Sequence, residues 1–167
     1  MNWTRGNTIG RGSTATVSAA TCHDSGETLA VKSAEFQRSE FLQREAKILS
    51  SLISPYVIGY RGCEITREAF HNKGEATTYN LLMEYAPYGT LTDVATKNGG
   101  FIDETRVVKY TRQILLGLEY IHNSKGIAHC DIKGSNVLVG ENGEAKIADS
   151  LARLSPYSIR STTRHRS

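Results

Sequence analysis

Residues 39–52 have helical periodicity, with Phe41, Ile48, Leu49 and Leu52 on one apolar face and Glu45 in the middle of it. A carboxylate centred on a buried face needs a cation delivered by the rest of the fold, and left unpaired it would cost about 3–5 kcal/mol. Taken alone, Glu45 reads more simply as a partly exposed residue at the edge of the stripe. A lysine upstream shifts that balance. Leu29-Ala30-Val31-Lys32 is an apolar, strand-forming run that ends in an ammonium. A lone lysine there would be a surface residue, whereas a Lys–Glu pair fixes the ammonium where it can sit between two phosphates. The chain must therefore pack a strand against the helix that follows it.

The surrounding pattern supplies the partners. Residues 17–21 and 28–33 are short β-favouring runs separated by the turn sequence His23-Asp24-Ser25-Gly26. Residues 57–66 and 77–85 are two further strand candidates, joined by a polar stretch around Asn72-Lys73-Gly74. Asp103 is placed to cap a long helix with Val107, Val108, Ile114, Leu115, Leu118 and Ile121 as its apolar stripe, and Gly126 to stop it. Residues 136–139 and 144–148 flank Glu141-Asn142-Gly143, a hairpin signal. No internal repeat is present. The order is β-rich, one helix, β-rich, then a long helix and a small hairpin, which predicts two lobes divided near residues 86–89.

Charge and cysteine usage exclude several classes. The formal net charge of +3 depends on Arg153, Arg160, Arg164 and Arg166 in the acid-free stretch 150–167; the remainder carries 16 basic and 17 acidic residues. A nucleic-acid patch is not a property of that body. Cys22, Cys63 and Cys130 are odd in number and lack metal-ligand spacing, arguing against a disulfide framework or a zinc site. No apolar stretch follows the charge at the N-terminus, and no apolar run approaches a membrane span. The expected location is the cytoplasm, with the nucleus as alternative.

Two further constellations carry chemistry. Ile9-Gly10-Arg11-Gly12-Ser13-Thr14-Ala15-Thr16-Val17 has glycines one residue apart, which let backbone amides approach phosphate oxygens. Alone, an ordinary hairpin turn is the simpler reading. A dinucleotide-binding fold would place a helix directly after the loop, and Thr16-Val17-Ser18 favours a strand instead. Near the other end, His129-Cys130-Asp131-Ile132-Lys133-Gly134-Ser135-Asn136 and the later Ala148-Asp149 gather a base, a cation and two oxygen ligands. Magnesium takes hard oxygen ligands, usually one or two carboxylates plus phosphate oxygens. Asp131 alone would be a turn or cap residue; the ensemble is different.

In order and rough spacing, the glycine loop, Lys32, Glu45, Asp131-x-Lys133-x-x-Asn136 and Asp149 resemble the eukaryotic protein kinases over residues 3–149. Lys133 with Gly134-Ser135 looks like the serine/threonine class. Ser33-Ala34-Glu35-Phe36, residues 54–63, Met83-Glu84-Tyr85-Ala86-Pro87 and His129-Cys130-Asp131 resemble the plant mitogen-activated protein kinase kinase kinases.

The resemblance implies an α+β, two-lobe, protein-kinase-like fold, incomplete at its C-terminus. An antiparallel sheet with one helix would form the small lobe (1–85), and residues 86–149 would begin a helical large lobe. ATP and Mg2+ are the implied cofactors. Ile9, Gly10, Arg11, Gly12 and Ser13 would cover the phosphates, and Lys32, paired to Glu45, would hold two of them. Val17, Ala30 and Leu138 would sandwich the adenine, with Met83 behind it and the backbone of Glu84 and Ala86 at its edge. Asp131 would orient the substrate hydroxyl, Lys133 would offset charge on the moving phosphoryl, and Asn136 and Asp149 would bind the metal. The implied substrate is a protein, specifically a mitogen-activated protein kinase kinase; neither nucleic acid nor membrane is an expected partner.

Three departures from the family pattern stand out. Ala15 replaces the third glycine of the loop, and Cys130 stands where many kinases have an arginine that pairs with an activation-loop phosphate. After Asp149 the family has Phe-Gly, but this chain has Ser150-Leu151, followed by a Ser/Arg-rich tail expected to be disordered. Such a change within one motif reads as a frameshift, an altered splice or a faulty gene prediction, which sequencing the transcript across the codon for Asp149 would settle. On that reading the long helix would expose apolar surface and the chain would be marginally stable. Three functions follow: a serine/threonine kinase, a weak or inactive nucleotide-binding or interaction module, or a product with no function.

Overall fold

The computed structural model describes residues 1–70, 74–149 and 152–153. Asn72, Lys73, Ser150, Leu151 and the tail from 154 onward, on which the sequence raised expectations, lie outside the described residues.

β-Branched and small residues in the first third build three consecutive strands: β1 (Trp3–Arg11), β2 (Thr16–Cys22) and β3 (Thr28–Glu35). A 3₁₀ turn at Phe36–Arg38 leads into α1 (Glu40–Leu49), and β4 (Tyr60–Phe70) and β5 (Gly74–Glu84) complete an antiparallel sheet of order β1-β2-β3-β5-β4. β2 and β3 outrun their expected bounds, β1 is a strand the sequence did not announce, β4 starts at Tyr60 and not at 57 but runs on to Phe70, and β5 starts earlier, at Gly74, and stops at Glu84. Ladder pairing recruits polar flanks that lack β pattern of their own. Lys32 accordingly lies inside β3, opposite Val17 on β2 and Leu81 on β5, and does not end the strand.

Strand alternation sorts this sheet into two faces. Ala20, Leu29, Val31 and Leu82 bury on one, with Cys22 beside them and Trp3 packed against the cluster. Ala34, Tyr79, Leu81 and Met83 bury on the other, against Leu42, Ala46, Ile48 and Leu49 of α1. Here one expectation is corrected: Phe41 is 77% exposed, and Leu42 takes its place on the buried face. The two are adjacent in sequence and lie about 100° apart around the helix, and contact with the sheet selects the position that points inward. Glu45 stays beside that face, with its side chain 14% exposed.

The second part contains α2 (Leu91–Lys97), a short helix the sequence reading missed. Its start is a capping box in which Thr90 Oγ1 accepts from the Asp93 amide and Asp93 accepts from the Thr90 amide. Next comes α3 (Glu104–Glu119), with Asp103 capping as expected by accepting from the Arg106 amide at 3.0 Å. A π-turn at Tyr120–Ser124 ends it. Short strands β6 (Ile127–Ala128), β7 (Val137–Val139), β8 (Ala145–Ile147) and β9 (Ala152–Arg153) follow, paired β6–β9 and β7–β8.

The expected stripe of α3 divides in two. Tyr110, Gly117 and Ile121 are buried and Ile114 and Leu118 partly so, while Val107, Val108 and Leu115 are exposed at 46%, 63% and 60%. No helix among the described residues is long and apolar enough to cross a membrane.

The two parts meet at β8. Ile58 donates its amide to the Ile147 carbonyl and Ile147 donates to the Tyr56 carbonyl, both at 2.9 Å. Gly117 makes this approach possible: a Cβ there would fall 2.9 Å from the Tyr56 oxygen and 2.8 Å from Ile147 Cδ1. The main core accordingly runs from α1 and the sheet through Val57 and Ile58 to Ile121, Ile127 and Ala148.

Candidate active site

β3 carries Lys32 out of the sheet on the face that packs α1, and α1 presents Glu45 to it. Lys32 Nζ lies 2.8 Å from Glu45 Oε2 and 3.1 Å from Oε1, and it also bonds Asp149 Oδ1. A single ammonium thus joins the small-lobe sheet, the small-lobe helix and the segment after β8. Burial opposes the Lys32 ammonium, but Glu45 and then Asp149 outweigh it, so its pKa stands above the ordinary lysine value. Burial also pushes the Glu45 carboxyl up, and Asp149 adds to this while Lys32 pulls the other way; the net direction is upward. Two carboxylates sharing one cation cannot both be fully compensated.

The loop around Asp131 is built by backbone constraint. Cys130 has φ +60°, and the Asp131 amide donates to the His129 carbonyl at 2.8 Å across it, a tight turn in a region that non-glycine residues seldom occupy. Asp149 has φ +62°. Such outliers persist only where the surroundings hold them. His129 is one such hold: buried to 1% exposure, it donates Nε2–H to the Ala148 carbonyl at 2.9 Å, and its Nδ1 has no partner among the described residues.

Asn136 ties the loop to β8. Its Nδ2 donates to the Asp131 carbonyl at 2.9 Å and to Asp131 Oδ2 at 3.0 Å, and its carbonyl accepts the Ala148 amide at 2.9 Å. Lys133 Nζ sits 2.7 Å from the same Oδ2. The Lys133 hydrogen bond and charge, with help from Asn136, hold the Asp131 carboxyl below the usual carboxylate range against the opposing effect of burial. Both Asp131 and Lys133 face solvent, where an incoming hydroxyl and a transferring phosphoryl group could reach them.

The implied nucleotide and metal fit this chemistry. Asn136 spends both amide hydrogens on Asp131, which leaves its Oδ1 as the remaining ligand atom, and with the Asp149 carboxylate it would offer hard oxygens of the kind magnesium takes. No cluster of three or more His, Cys, Asp or Glu residues exists among the described residues, so phosphate oxygens would have to complete the shell. The glycine loop is the β1–β2 hairpin, closed by Gly12 N–H to the Ala15 carbonyl at 2.8 Å, with Gly10 opposite Val17 and Arg11 opposite Thr16. It holds Ile9, Gly10, Arg11, Gly12 and Ser13 in one turn region, Ile9 being 49% exposed. Ala30 and Met83 are cross-strand partners, each 8% exposed, on the face shared by Val17 and Lys32. Leu138 packs against the same core cluster as Met83, on β7 of the other part. Glu84 ends β5 and Ala86 follows it.

Two residues with specific roles escaped the sequence reading. His129 was noted only as part of the loop, although a histidine after Ile127-Ala128 signals a buried polar anchor. Lys146 lies between Ala145 and Ile147 in a strand; it is 8% exposed and binds Glu84 Oε1 at 3.0 Å. A lysine flanked by apolar strand residues was the available clue.

Comparison with known proteins gives matching results. The family model described as protein kinase domain matches residues 3–158, nine residues beyond Asp149. The chain is 94% identical over 149 residues to mitogen-activated protein kinase kinase kinase 18 of Arabidopsis thaliana, covering 89% of this chain and 44% of that protein. It is 72% identical over 149 residues to mitogen-activated protein kinase kinase kinase 17 of the same plant, covering 89% and 39%. With the MAP kinase kinase kinase SSK2 of Saccharomyces cerevisiae it shares 35% identity over 156 residues, 89% of this chain and 9% of that one. The chain spans under half the length of these relatives.

Proposed function

The chain belongs to the protein kinase family, and from that premise we propose that it is an ATP-dependent serine/threonine kinase acting on a protein hydroxyl in a mitogen-activated kinase cascade. The observation that carries this is the triple junction at Lys32, which bonds Glu45 and Asp149 at once while Asn136 holds Asp131 next to the same segment. Phosphoryl transfer asks the protein mainly for positioning and for charges placed around the moving group, and these side chains are held for that task.

Lys32 would release Asp149 to a metal and take up phosphate oxygens, while Glu45 keeps the ammonium oriented. Asp131, held ionised by Lys133 and Asn136, would accept or orient the proton of the attacking hydroxyl. Lys133 is positioned to offset negative charge at the transfer point. Asn136 and Asp149 are the residues that would hold Mg2+, which would supply positive charge against the phosphates. The names of the relatives point to a mitogen-activated protein kinase kinase as substrate, and a cytoplasmic or nuclear location belongs to the same proposal.

A second reading, a nucleotide-binding module with weak or absent turnover, is favoured by Ser150-Leu151 standing where the family has Phe-Gly. Thermal shift with Mg-ATP, run beside Lys32→Ala, tests the site common to both. A shift in the parent that disappears in the variant supports nucleotide binding; no shift in the parent rejects both readings. Phosphotransfer that depends on Asp131 then selects the kinase.

A further inference from the structure

One buried ionic cluster is not used by the chemistry above. Lys146 on β8 places Nζ 3.0 Å from Glu84 Oε1 and 3.6 Å from Glu144 Oε1, with side-chain exposures of 10%, 23% and 20%. The other oxygen of Glu84 accepts the Gly59 amide at 3.1 Å, while the Glu84 amide donates to the Gly59 carbonyl at 2.8 Å. Glu84 therefore lies across Gly59 and is held from the far side by Lys146. A side chain at position 59 would crowd it: a Cβ there would fall 3.0 Å from Glu84 Oε2 and 2.7 Å from an Arg61 guanidinium nitrogen, so both side-chain ends would have to shift.

These contacts join three elements. Glu84 closes β5 and begins the segment 84–86 whose backbone is assigned to the adenine edge. Gly59 belongs to the connection between α1 and β4, the same connection whose Ile58 and Tyr56 bond Ile147. Lys146 is the residue before Ile147, so at adjacent positions β8 binds the end of β5 through a side chain and the loop through its backbone.

We infer that Lys146 is a positioning residue: by holding Glu84 over Gly59 it clasps the hinge segment to β8 and presets the backbone that receives the nucleotide. The consequence for nucleotide affinity rests on the phosphotransfer reading; the clasp itself does not. Without the ammonium, Glu84 would share a confined site with Glu144, and like charges would drive it out toward water. The hinge amide bonds would then open locally. Arginine, which keeps the charge and reaches as far, should preserve the clasp.

The test compares the parent chain with K146M and K146R by amide hydrogen exchange, together with calorimetric titration of Mg-ATP. In K146M the amides of Gly59 and Glu84 should exchange about tenfold faster or more, the scale of a lost hydrogen bond to a charged group. Amides within α3 should be unchanged, and K146R should behave as the parent. Mg-ATP affinity should fall by a similar factor in K146M and recover in K146R. Unchanged exchange at Gly59 and Glu84 in K146M would overturn the clasp, and faster exchange with unaltered Mg-ATP affinity would overturn the positioning role. If K146M does not fold, Glu84→Gln removes the charge that Lys146 holds while keeping the side chain's shape, and it must produce the same local acceleration. A parent that binds no nucleotide would reject the kinase reading, and the exchange result would still decide the clasp.

Discussion

The ammonium of Lys32 is bonded to Glu45 at 2.8 Å and to Asp149 at the same time, so the helix of the small lobe and the end of β8 share one cation. Neither carboxylate has that charge to itself. Lys32 could therefore give up Asp149 and still keep its pairing to Glu45, the exchange that the proposed phosphate-binding role requires.

Removal of the shared cation should be costly and pH-dependent. Lys32→Met is expected to destabilise the fold by about 3 kcal/mol at pH 7, the lower end for breaking a mostly buried pair. The loss should shrink at pH 5, where Glu45 can take a proton. Chemical denaturation at both pH values measures it; an equal loss at both would show that Glu45 is not the group left stranded. In the parent, the raised Lys32 pKa means its stabilising contribution is complete below the ordinary value of 10.5 and is lost as pH climbs through the folded-state value.

Glu45 makes the opposite contribution to that of a typical ion-paired carboxylate. Its folded-state pKa lies above the ordinary 4.5, so the folded chain binds a proton more tightly than the unfolded chain does. Stability from this group must then decline as pH rises from about 4.5 through the raised value. Melting temperature against pH for parent and Glu45→Gln should diverge over that window, with the parent losing ground as pH rises. Parallel curves would mean Lys32 compensates the carboxylate fully.

Asp131→Asn should separate binding from turnover. Loss of a positioned base lowers phosphotransfer by about 10²–10⁴-fold. Asp131 is exposed, and among the described residues its carboxylate bonds the Lys133 and Asn136 side chains only, so Mg-ATP affinity and melting temperature should hold. A variant that loses nucleotide binding as well would point to collapse of the loop.

Asn136→Ala should remove the metal dependence of ATP affinity. Even an outer-sphere partner contributes about 10–100-fold to metal affinity, and a direct ligand should contribute at least as much. Titrating ATP with and without Mg2+ gives the comparison. The same variant removes the one hydrogen bond that Asn136 gives the Asp131 carboxylate, which should raise the Asp131 pKa part of the way toward the ordinary carboxylate range while Lys133 still holds it down.

The cap of α3 offers a stability measurement independent of the active site. Asp103→Ala removes the acceptor for the Arg106 amide and should cost about 1 kcal/mol, with nucleotide binding intact.

Much of this molecule was legible along the chain. Strand-forming runs, the Asp103 cap, the Glu141-Asn142-Gly143 turn and the pairing of Lys32 with Glu45 depend on local pattern, or on a charge that burial alone would make intolerable. The motif residues likewise announce themselves by type and spacing. Tertiary structure decided which of two adjacent apolar residues faces inward, so Leu42 is buried and Phe41 is not. It also split the α3 stripe, since only the side meeting β8 found a partner. The short helix α2 rests on a capping box and one buried valine, too little periodicity to be read beforehand. Above all, the folded chain brought Glu84, Gly59 and Lys146 together from three distant segments. Periodicity encodes a residue's neighbours on its own element, whereas an ion pair between elements exists only once packing has brought charges from distant segments within reach of one another.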